Sequence, residues 1–212
     1  MFDIEYKGAN NVVFTTKMIK IMFDPALSLV GLKDSLSVQD VEVLTEDRFA
    51  VNNTTPRLLF SGPGEYEVGD VSLKGIAAWR HIDTESDAKK STIYRLTIGD
   101  VRAVIIGNIA PKLSDSQLEE IGVVDIVVIP VGGGGYTLDA TSAANMVRQL
   151  EPKVVIPIHY ADSALHYEVP QDGLSVFVGE MGMETIDAGS KWKVKGITSL
   201  PDQSSIVTIA RN

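Results

Sequence analysis

The segment that decides the fold covers residues 123–159 and is VVDIVVIPVGGGGYTLDATSAANMVRQLEPKVVIPIH. Residues 123–131 and 153–158 are almost purely apolar, which is typical of strands covered on both faces. Between them, Asp139 is placed to cap a helix over residues 140–150. This strand–helix–strand order predicts a layered α/β fold.

Seven short segments before residue 107 are rich in β-branched residues, which predicts strands. Turn-forming sequences separate them. Gly62-Pro63-Gly64 is expected to form a corner, and Gly99-Asp100 has the length of a two-residue hairpin loop. The predicted strands cover residues 11–15, 18–23, 41–45, 58–60, 67–73, 92–98 and 102–106.

Two further helices and a last strand are predicted in the second half of the chain. Residues 114–121 have helical spacing that begins after the N-cap Ser114. Residues 171–180 predict another helix, and residues 205–209 predict a strand. Residues 81–90 are rich in charge and contain little to bury, so we expect an exposed loop there.

The composition supports one sizeable core and argues against nucleic acid as a partner. Of the 212 residues, 44% are hydrophobic, which is enough for one domain spanning residues 1–212. The formal net charge is -9 and no cluster of Lys and Arg stands out along the sequence, so polyanions are disfavoured. With no cysteine, neither a disulfide nor a thiolate is available.

The sequence predicts a cytoplasmic protein without a membrane segment. Residues 1–6 carry two acids and lack the basic stretch and apolar run of a secretory signal. No apolar run reaches the length that spans a bilayer.

Several pieces of sequence, taken in chain order, resemble one known family. They are Gly8-Ala9-Asn10, Ile21-Met-Phe-Asp-Pro25, Ser61-Gly-Pro-Gly-Glu-Tyr-Glu-Val68, Gly107-Asn108, residues 129–139 and residues 155–160. Together they are similar to the lactonase-like branch of the metallo-β-lactamase superfamily, whose fold packs two sheets between outer helices. The resemblance implies a four-layer αββα sandwich.

The resemblance also implies a His-x-His-x-Asp-His motif after the strand at residues 41–45, because zinc needs three or four converging donors. The chain has Glu46 and Arg48 in place of the first two histidines, Ala50 in place of the aspartate and Val51 in place of the last histidine. No histidine occurs before residue 81. We therefore expect a degenerate metal site, with no zinc cofactor although the family implies one.

The family's remaining metal-ligand positions are only partly retained in this chain. On the resemblance, His81 corresponds to the third histidine, His159 to the last histidine and Asn108 to the bridging aspartate. The simpler interpretation makes His81 an exposed loop residue and His159 a hydrogen-bonded residue at a strand end, and it applies also to His166. The charge of Arg48 would repel a divalent cation. The predicted cleft residues are Glu46, Asp47, Arg48, His81, Asn108 and His159.

A hard cation is the alternative to a metal-free cleft. Carboxylate, amide and imidazole groups suit magnesium or manganese. If any metal binds, the predicted ligands are Asp24, Glu46, His81 and His159, with Asp47 and Asn108 as further oxygen donors.

The glycine run Gly132 to Gly135 has two interpretations. It is either a tight turn that needs positive φ or an anion cradle before the following helix. It lacks the Lys-Ser/Thr ending of a nucleotide-binding loop.

Three functions remain open from the sequence. The first is a non-catalytic homologue, or pseudoenzyme, that binds a small anionic metabolite or a protein partner. The second is an active metal-dependent hydrolase of ester, lactone or phosphodiester substrates with a mononuclear site around His81 and His159. The third is an assembly or regulatory protein, for which we expect a homodimer.

Overall fold

Two mixed β-sheets form the centre of the structure, a computed structural model that describes residues 1–82 and 88–212. Within these residues the helices are α1 (Asp115–Ile121), α2 (Ala140–Leu150) and α3 (Leu174–Met181). The strands are β1 (Phe2–Gly8), β2 (Asn11–Thr15), β3 (Lys20–Phe23), β4 (Val41–Leu44), β5 (Leu58–Ser61), β6 (Gly64–Val68), β7 (Val71–Ala78), β8 (Ser91–Ile98), β9 (Val101–Ile105), β10 (Ile126–Pro130), β11 (Val154–Ile158), β12 (Thr185–Asp187), β13 (Trp192–Val194) and β14 (Ser205–Thr208).

The strand order places parallel strands next to one another in both sheets. The first sheet has the order β13-β1-β2-β3-β4-β5, and its pairing is antiparallel up to β3 and parallel from β3 to β5. The second sheet has the order β12-β14-β11-β10-β9-β8-β7-β6 and is parallel from β12 to β9. Its remaining pairs are antiparallel.

Alternating side chains build the core between the sheets. Phe14 and Phe23 of the first sheet point inward, and the ring of Phe23 lies 6.0 Å from that of Tyr94 in the second sheet. Their neighbours Val13 and Met22 point to the outer face of the first sheet. This period of two is what a strand buried on both faces requires.

The outer layers differ from each other. All three α-helices of the described residues cover the second sheet, where Met146 and Phe177 pack in one apolar cluster with Val127. The outer face of the first sheet is covered by irregular chain that includes the short 3-10 helices Leu27–Val30 and Asp47–Phe49. The predicted sandwich is confirmed, and its fourth layer consists of loops and 3-10 turns.

Two helix caps expected from the sequence are confirmed. The side chain of Ser114 accepts a hydrogen bond from the backbone N–H of Gln117, whose side chain accepts one in return from the N–H of Ser114. Asp139 accepts a 2.7 Å bond from the N–H of Ser142. These contacts satisfy backbone groups that the first turn leaves unpaired.

The prediction of one strand over residues 67–73 was wrong. Val68 ends β6, Gly69 and Asp70 form a turn with Gly69 at a φ of 60°, and Val71 begins β7. The predicted helix over residues 171–180 begins only at Leu174, because the backbone N–H and carbonyl of Asp172 bond outside the helix.

The predicted loop at residues 81–90 falls partly on Asp83, Thr84, Glu85, Ser86 and Asp87, which lie outside the described residues. Among the described residues of this stretch, Lys89 and Lys90 are exposed.

In the described part of the chain, no helix combines the length and the apolar character that crossing a membrane requires.

Candidate functional site

The carboxyl ends of parallel strands from both sheets meet at one rim of the sandwich. Asp24 follows β3, Glu46 lies two residues after β4, Asn108 follows β9, Gly132 follows β10 and His159 follows β11. Ligands of open α/β sheets bind at such strand ends. We therefore treat this rim as the candidate site.

Arg48 and Glu46 form an ion pair at the end of β4. Nε of Arg48 lies 2.9 Å from Oε2 of Glu46, and Nη2 donates a 3.2 Å bond to Oε1. The Glu46 side chain is 4% exposed and that of Arg48 is 46% exposed. Burial raises the pKa of Glu46, while Arg48 offsets part of this rise. The guanidinium group thus neutralises a carboxylate that would otherwise be buried alone.

Asn108 joins this pair from the second sheet. Its Nδ2 donates a 3.3 Å bond to Oε1 of Glu46, and its Oδ1 is buried with no hydrogen-bond partner among the described residues. The preceding Gly107 has a φ of 66°, and a side chain there would press on Thr45, whose Cβ lies 2.9 Å from the added carbon. Glycine at this position therefore allows the backbone to bring Asn108 against the end of β4.

His159 is held by contacts on both its backbone and its ring. Its N–H lies 3.1 Å from the carbonyl oxygen of Ala9 and 3.2 Å from the hydroxyl of Tyr6. Its Nδ1 lies 2.7 Å from Oδ1 of Asn10, and its ring lies 4.9 Å from that of Tyr167. Burial, with a smaller effect of Arg48, lowers the pKa of His159 to about 4. The imidazole is therefore neutral at physiological pH.

Asp24 lies behind the rim rather than on it. It is buried, and it accepts hydrogen bonds from the N–H and the hydroxyl of Thr45. Burial outweighs these bonds and raises the pKa of Asp24 to about 8. Asp24 thus fixes the residue that precedes Glu46.

The side chains of the remaining predicted residues bond to groups other than Glu46, Asn108 and His159, although the backbone N–H of His81 donates a 3.0 Å bond to the carbonyl oxygen of Asn108. Nδ1 of His81 lies 2.9 Å from the carbonyl oxygen of Gly135. Asp47 accepts a hydrogen bond from the hydroxyl of Ser61. The ring of His166 lies against Gly31, outside the rim contacts described above.

Two hollows border the rim, and Arg48 lines both. The first, which we call the cleft, has a volume of about 200 Å³ and includes Arg48, Asn108 and His159 in its lining. Aromatic side chains of Phe49, Tyr136 and Tyr167 also line it. The second, which we call the basic pocket, has a volume of about 400 Å³ and is lined in part by Arg48, Arg80, Lys89 and Lys90.

The glycine run serves close packing. A side chain at Gly132 would overlap the carbonyl oxygen of His159. Gly133, Gly134 and Gly135 all have positive φ. The tight-turn interpretation accounts for these features, and the carboxylate of Asp139 already caps the following helix.

The donors at the rim do not fit a two-zinc centre. The carboxylate of Glu46 is bound by a guanidinium group, and Asn108 offers a neutral amide where a bridging carboxylate is needed. Within residues 1–82 and 88–212, no three His, Asp or Glu side chains are grouped so that they could hold a metal ion. The predicted alternative set of Asp24, Glu46, His81 and His159 is therefore not brought together.

The structure brings together a subset of the predicted cleft and adds residues that were missed. Glu46, Arg48 and Asn108 are in contact, and Arg48 and Asn108 share a lining with His159. Asn10 and Tyr167 were missed as site residues, because their contacts with His159 depend on chain folding. The adjacent polar pair Asn10-Asn11 between apolar segments was the available signal for Asn10.

The fold is that of a β-lactamase-type sandwich protein. A family model described as a β-lactamase superfamily domain matches residues 3–159, which is more than half of the chain. The chain therefore belongs to this superfamily, and the predicted resemblance is confirmed at the level of the superfamily.

Individual relatives agree with this assignment. A UPF0173 protein of Pyrococcus abyssi is 30% identical over 96 residues, which cover 45% of this chain and 41% of the relative. A UPF0173 metal-dependent hydrolase of Carboxydothermus hydrogenoformans is 28% identical over 102 residues, which cover 46% of this chain and 44% of the relative. The match thus spans less than half the length of these curated relatives.

A solved structure is similar over nearly the whole chain. It is that of a Thermotoga maritima protein of the metallo-β-lactamase superfamily assigned to the Zn-dependent hydrolases. The TM-score is 0.76 at 20% identity, with 99% of this chain and 98% of the other covered. This likeness establishes the shared fold.

Proposed function

We propose that the protein binds a small anionic ligand in the cleft and does not hydrolyse substrates on a zinc pair. The observation that carries the proposal is the Arg48–Glu46 ion pair, which occupies the segment where the superfamily's metal-binding motif is expected. A fixed positive charge there repels a divalent cation and attracts an anion.

Arg48 retains the capacity to bind a ligand while paired with Glu46. A guanidinium group has five N–H donors, and the two contacts with Glu46 engage Nε and Nη2. Its side chain is 46% exposed, and its central carbon lies 4.7 Å from the centre of the Phe49 ring. Glu46 and Phe49 thus orient the group, and donors remain for an anion such as a carboxylate.

Asn108 and His159 indicate what else the ligand contains. The buried Oδ1 of Asn108 has no partner in the described residues, and such an unsatisfied acceptor costs about 1–3 kcal/mol. A hydroxyl or amine of the ligand would satisfy it. The neutral ring of His159 and the aromatic walls suit an apolar body. We therefore favour a small carboxylate that carries an apolar ring and a hydrogen-bond donor.

Binding of 4-hydroxybenzoate, measured by isothermal titration calorimetry, tests this proposal. We expect saturable binding that Arg48→Gln weakens about tenfold, the loss of one charge-assisted contact. Arg57→Gln is the matched control, because Arg57 is exposed and lies in neither hollow. Equal effects of both substitutions, or no binding, would count against the cleft as an anion site.

A metal-dependent hydrolase is the second candidate function. The name of the Carboxydothermus relative favours it. Protein produced in zinc- and manganese-supplemented medium should be analysed for metal and assayed with nitrophenyl esters, lactones and bis(nitrophenyl) phosphate. One or two bound metal ions, with turnover that His159→Ala abolishes, would overturn our proposal in favour of the hydrolase.

A further inference from the structure

We propose that the basic pocket binds the phosphate group of a small phosphorylated ligand, whose remaining part extends past Arg48 into the cleft. This inference rests on the proposed function, because the two hollows share Arg48. It adds the basic pocket to the site and names a phosphate group as the anion that this pocket binds, whereas the cleft alone favours a carboxylate.

The charge of the basic pocket is opposite to that of the whole chain. Four basic side chains line it, against the two acidic side chains of Glu46 and Asp47. The chain as a whole has a formal net charge of -9. Glu46 forms an ion pair with Arg48, and Asp47 accepts a hydrogen bond from the hydroxyl of Ser61. The described lining thus concentrates positive charge in an otherwise negative protein.

The basic groups come from three separate segments of the chain. Arg48 follows β4, Arg80 follows β7, and Lys89 and Lys90 precede β8. Neither lysine forms an ion pair with the described residues, whereas Arg80 has contacts of its own. Like charges brought to one hollow repel one another unless a counter-charge lies between them. An anion in the pocket would supply that counter-charge.

The pocket also offers hydroxyl groups and space. Thr45, Ser61, Ser91 and Thr92 line it, and of these the Thr45 and Ser61 hydroxyls already donate to Asp24 and Asp47. Ser91 is 3% exposed, and its hydroxyl has no partner within residues 1–82 and 88–212. A side-chain carbon added at Gly62 would meet nothing within 4 Å, so the corner leaves the pocket open. A volume of about 400 Å³ is large enough for a small molecule and too small for a polyanionic macromolecule.

A phosphate monoester matches these features better than a carboxylate does. It carries close to two negative charges at neutral pH and three acceptor oxygens. Two lysines and an arginine can bind those oxygens at once. The cleft then receives the organic part of the molecule, against its aromatic walls.

Calorimetric titrations with inorganic phosphate and with phenyl phosphate test this inference on the full chain. We expect Lys89→Gln/Lys90→Gln to weaken both affinities at least about tenfold, because two charge-assisted contacts are lost. Lys17→Gln/Lys33→Gln is the matched control. It changes the net charge equally, and both of its lysines are exposed and outside the pocket. We further expect phenyl phosphate to bind more tightly than inorganic phosphate.

The outcomes separate this inference from the proposed function. Failure to bind phosphate, or equal weakening in the control, would overturn the inference, and unchanged binding of 4-hydroxybenzoate would leave the proposed function standing. A zinc pair at the rim together with lysine-dependent phosphate binding would overturn the proposed function and support the phosphate site. Equal affinities for the two phosphates would overturn the extension into the cleft.

Discussion

Thr45 donates two hydrogen bonds to the carboxyl group of Asp24, at 2.7 Å from its N–H and 2.6 Å from its hydroxyl. The two residues tie the end of β3 to the end of β4, immediately before Glu46. Because burial raises the pKa of Asp24 to about 8, this carboxyl group is largely protonated at neutral pH.

The stability of the protein should therefore depend on the ionisation of Asp24. The folded chain keeps this proton up to about pH 8, whereas the unfolded chain loses it near the ordinary value of 3.8. The free energy of unfolding should fall as pH rises between these values, by at most about 1.4 kcal/mol per pH unit. Asp24→Asn, which mimics the protonated form, should remove this slope. Urea denaturation at pH 5, 6.5 and 8 measures this slope. Parallel pH profiles for the unaltered protein and Asp24→Asn would refute the prediction.

His159 should contribute a slope of opposite sign. Its pKa is lowered to about 4 from 6.5, so between these values the unfolded chain binds more protons than the folded chain. The contribution of His159 to the free energy of unfolding is fully present above pH 6.5 and is lost as pH falls towards 4. We expect NMR titration to show one imidazole that protonates near pH 4 and is absent from His159→Gln. An imidazole at residue 159 that protonates near pH 6.5 would contradict its burial.

The ion pair at the end of β4 should be worth more than a surface contact. Arg48→Gln leaves the buried Glu46 carboxylate unpaired and should lower the free energy of unfolding by about 1–2 kcal/mol, a value discounted for the exposure of Arg48. Adding Glu46→Gln to the Arg48→Gln variant should restore part of the lost free energy of unfolding. A double-mutant cycle from urea denaturation measures the coupling, and additive effects would mean that the pair is not stabilising.

Restoring metal donors at the rim should create zinc affinity. Arg48→His/Asn108→Asp removes the repelling charge and adds an imidazole and a carboxylate near Glu46 and His159. Competition with a chromophoric chelator should show zinc binding at least about tenfold tighter than in the unaltered protein. Arg57→Gln should change nothing. If the unaltered protein already binds zinc as tightly, the charge of Arg48 does not exclude metal.

The sequence predicted those parts of the fold that depend on local patterns. The limits of β2 and α2 and both helix caps follow from apolar spacing and capping residues. The turn at Gly69-Asp70 was missed although Gly99-Asp100 is the same dipeptide and was predicted correctly. The strands β1, β12 and β13 were also missed. In β1, buried Phe2, Ile4 and Tyr6 alternate with charged residues, so its signal was present.

The site was predictable only where it depends on residue identity. Glu46 and Arg48 were expected in the cleft because they replace metal ligands within a short motif. The bond between Asn10 and His159 joins residues 149 positions apart, and no local pattern reports it. For the same reason, the basic pocket was not predicted, because no cluster of Lys and Arg stands out along the sequence. Its charges converge only after folding.

Three residues beside the rim, Ala9, Asp24 and His159, have φ values between 46° and 50°, although none is glycine. A left-handed backbone costs a residue with a side chain about 1–2 kcal/mol. Glycine would relieve that cost, but at residues 24 and 159 it would remove the carboxyl group that fixes Thr45 and the imidazole that lines the cleft. At residue 159, selection for a more heat-resistant variant would therefore favour glycine, whereas selection for ligand recognition would oppose it.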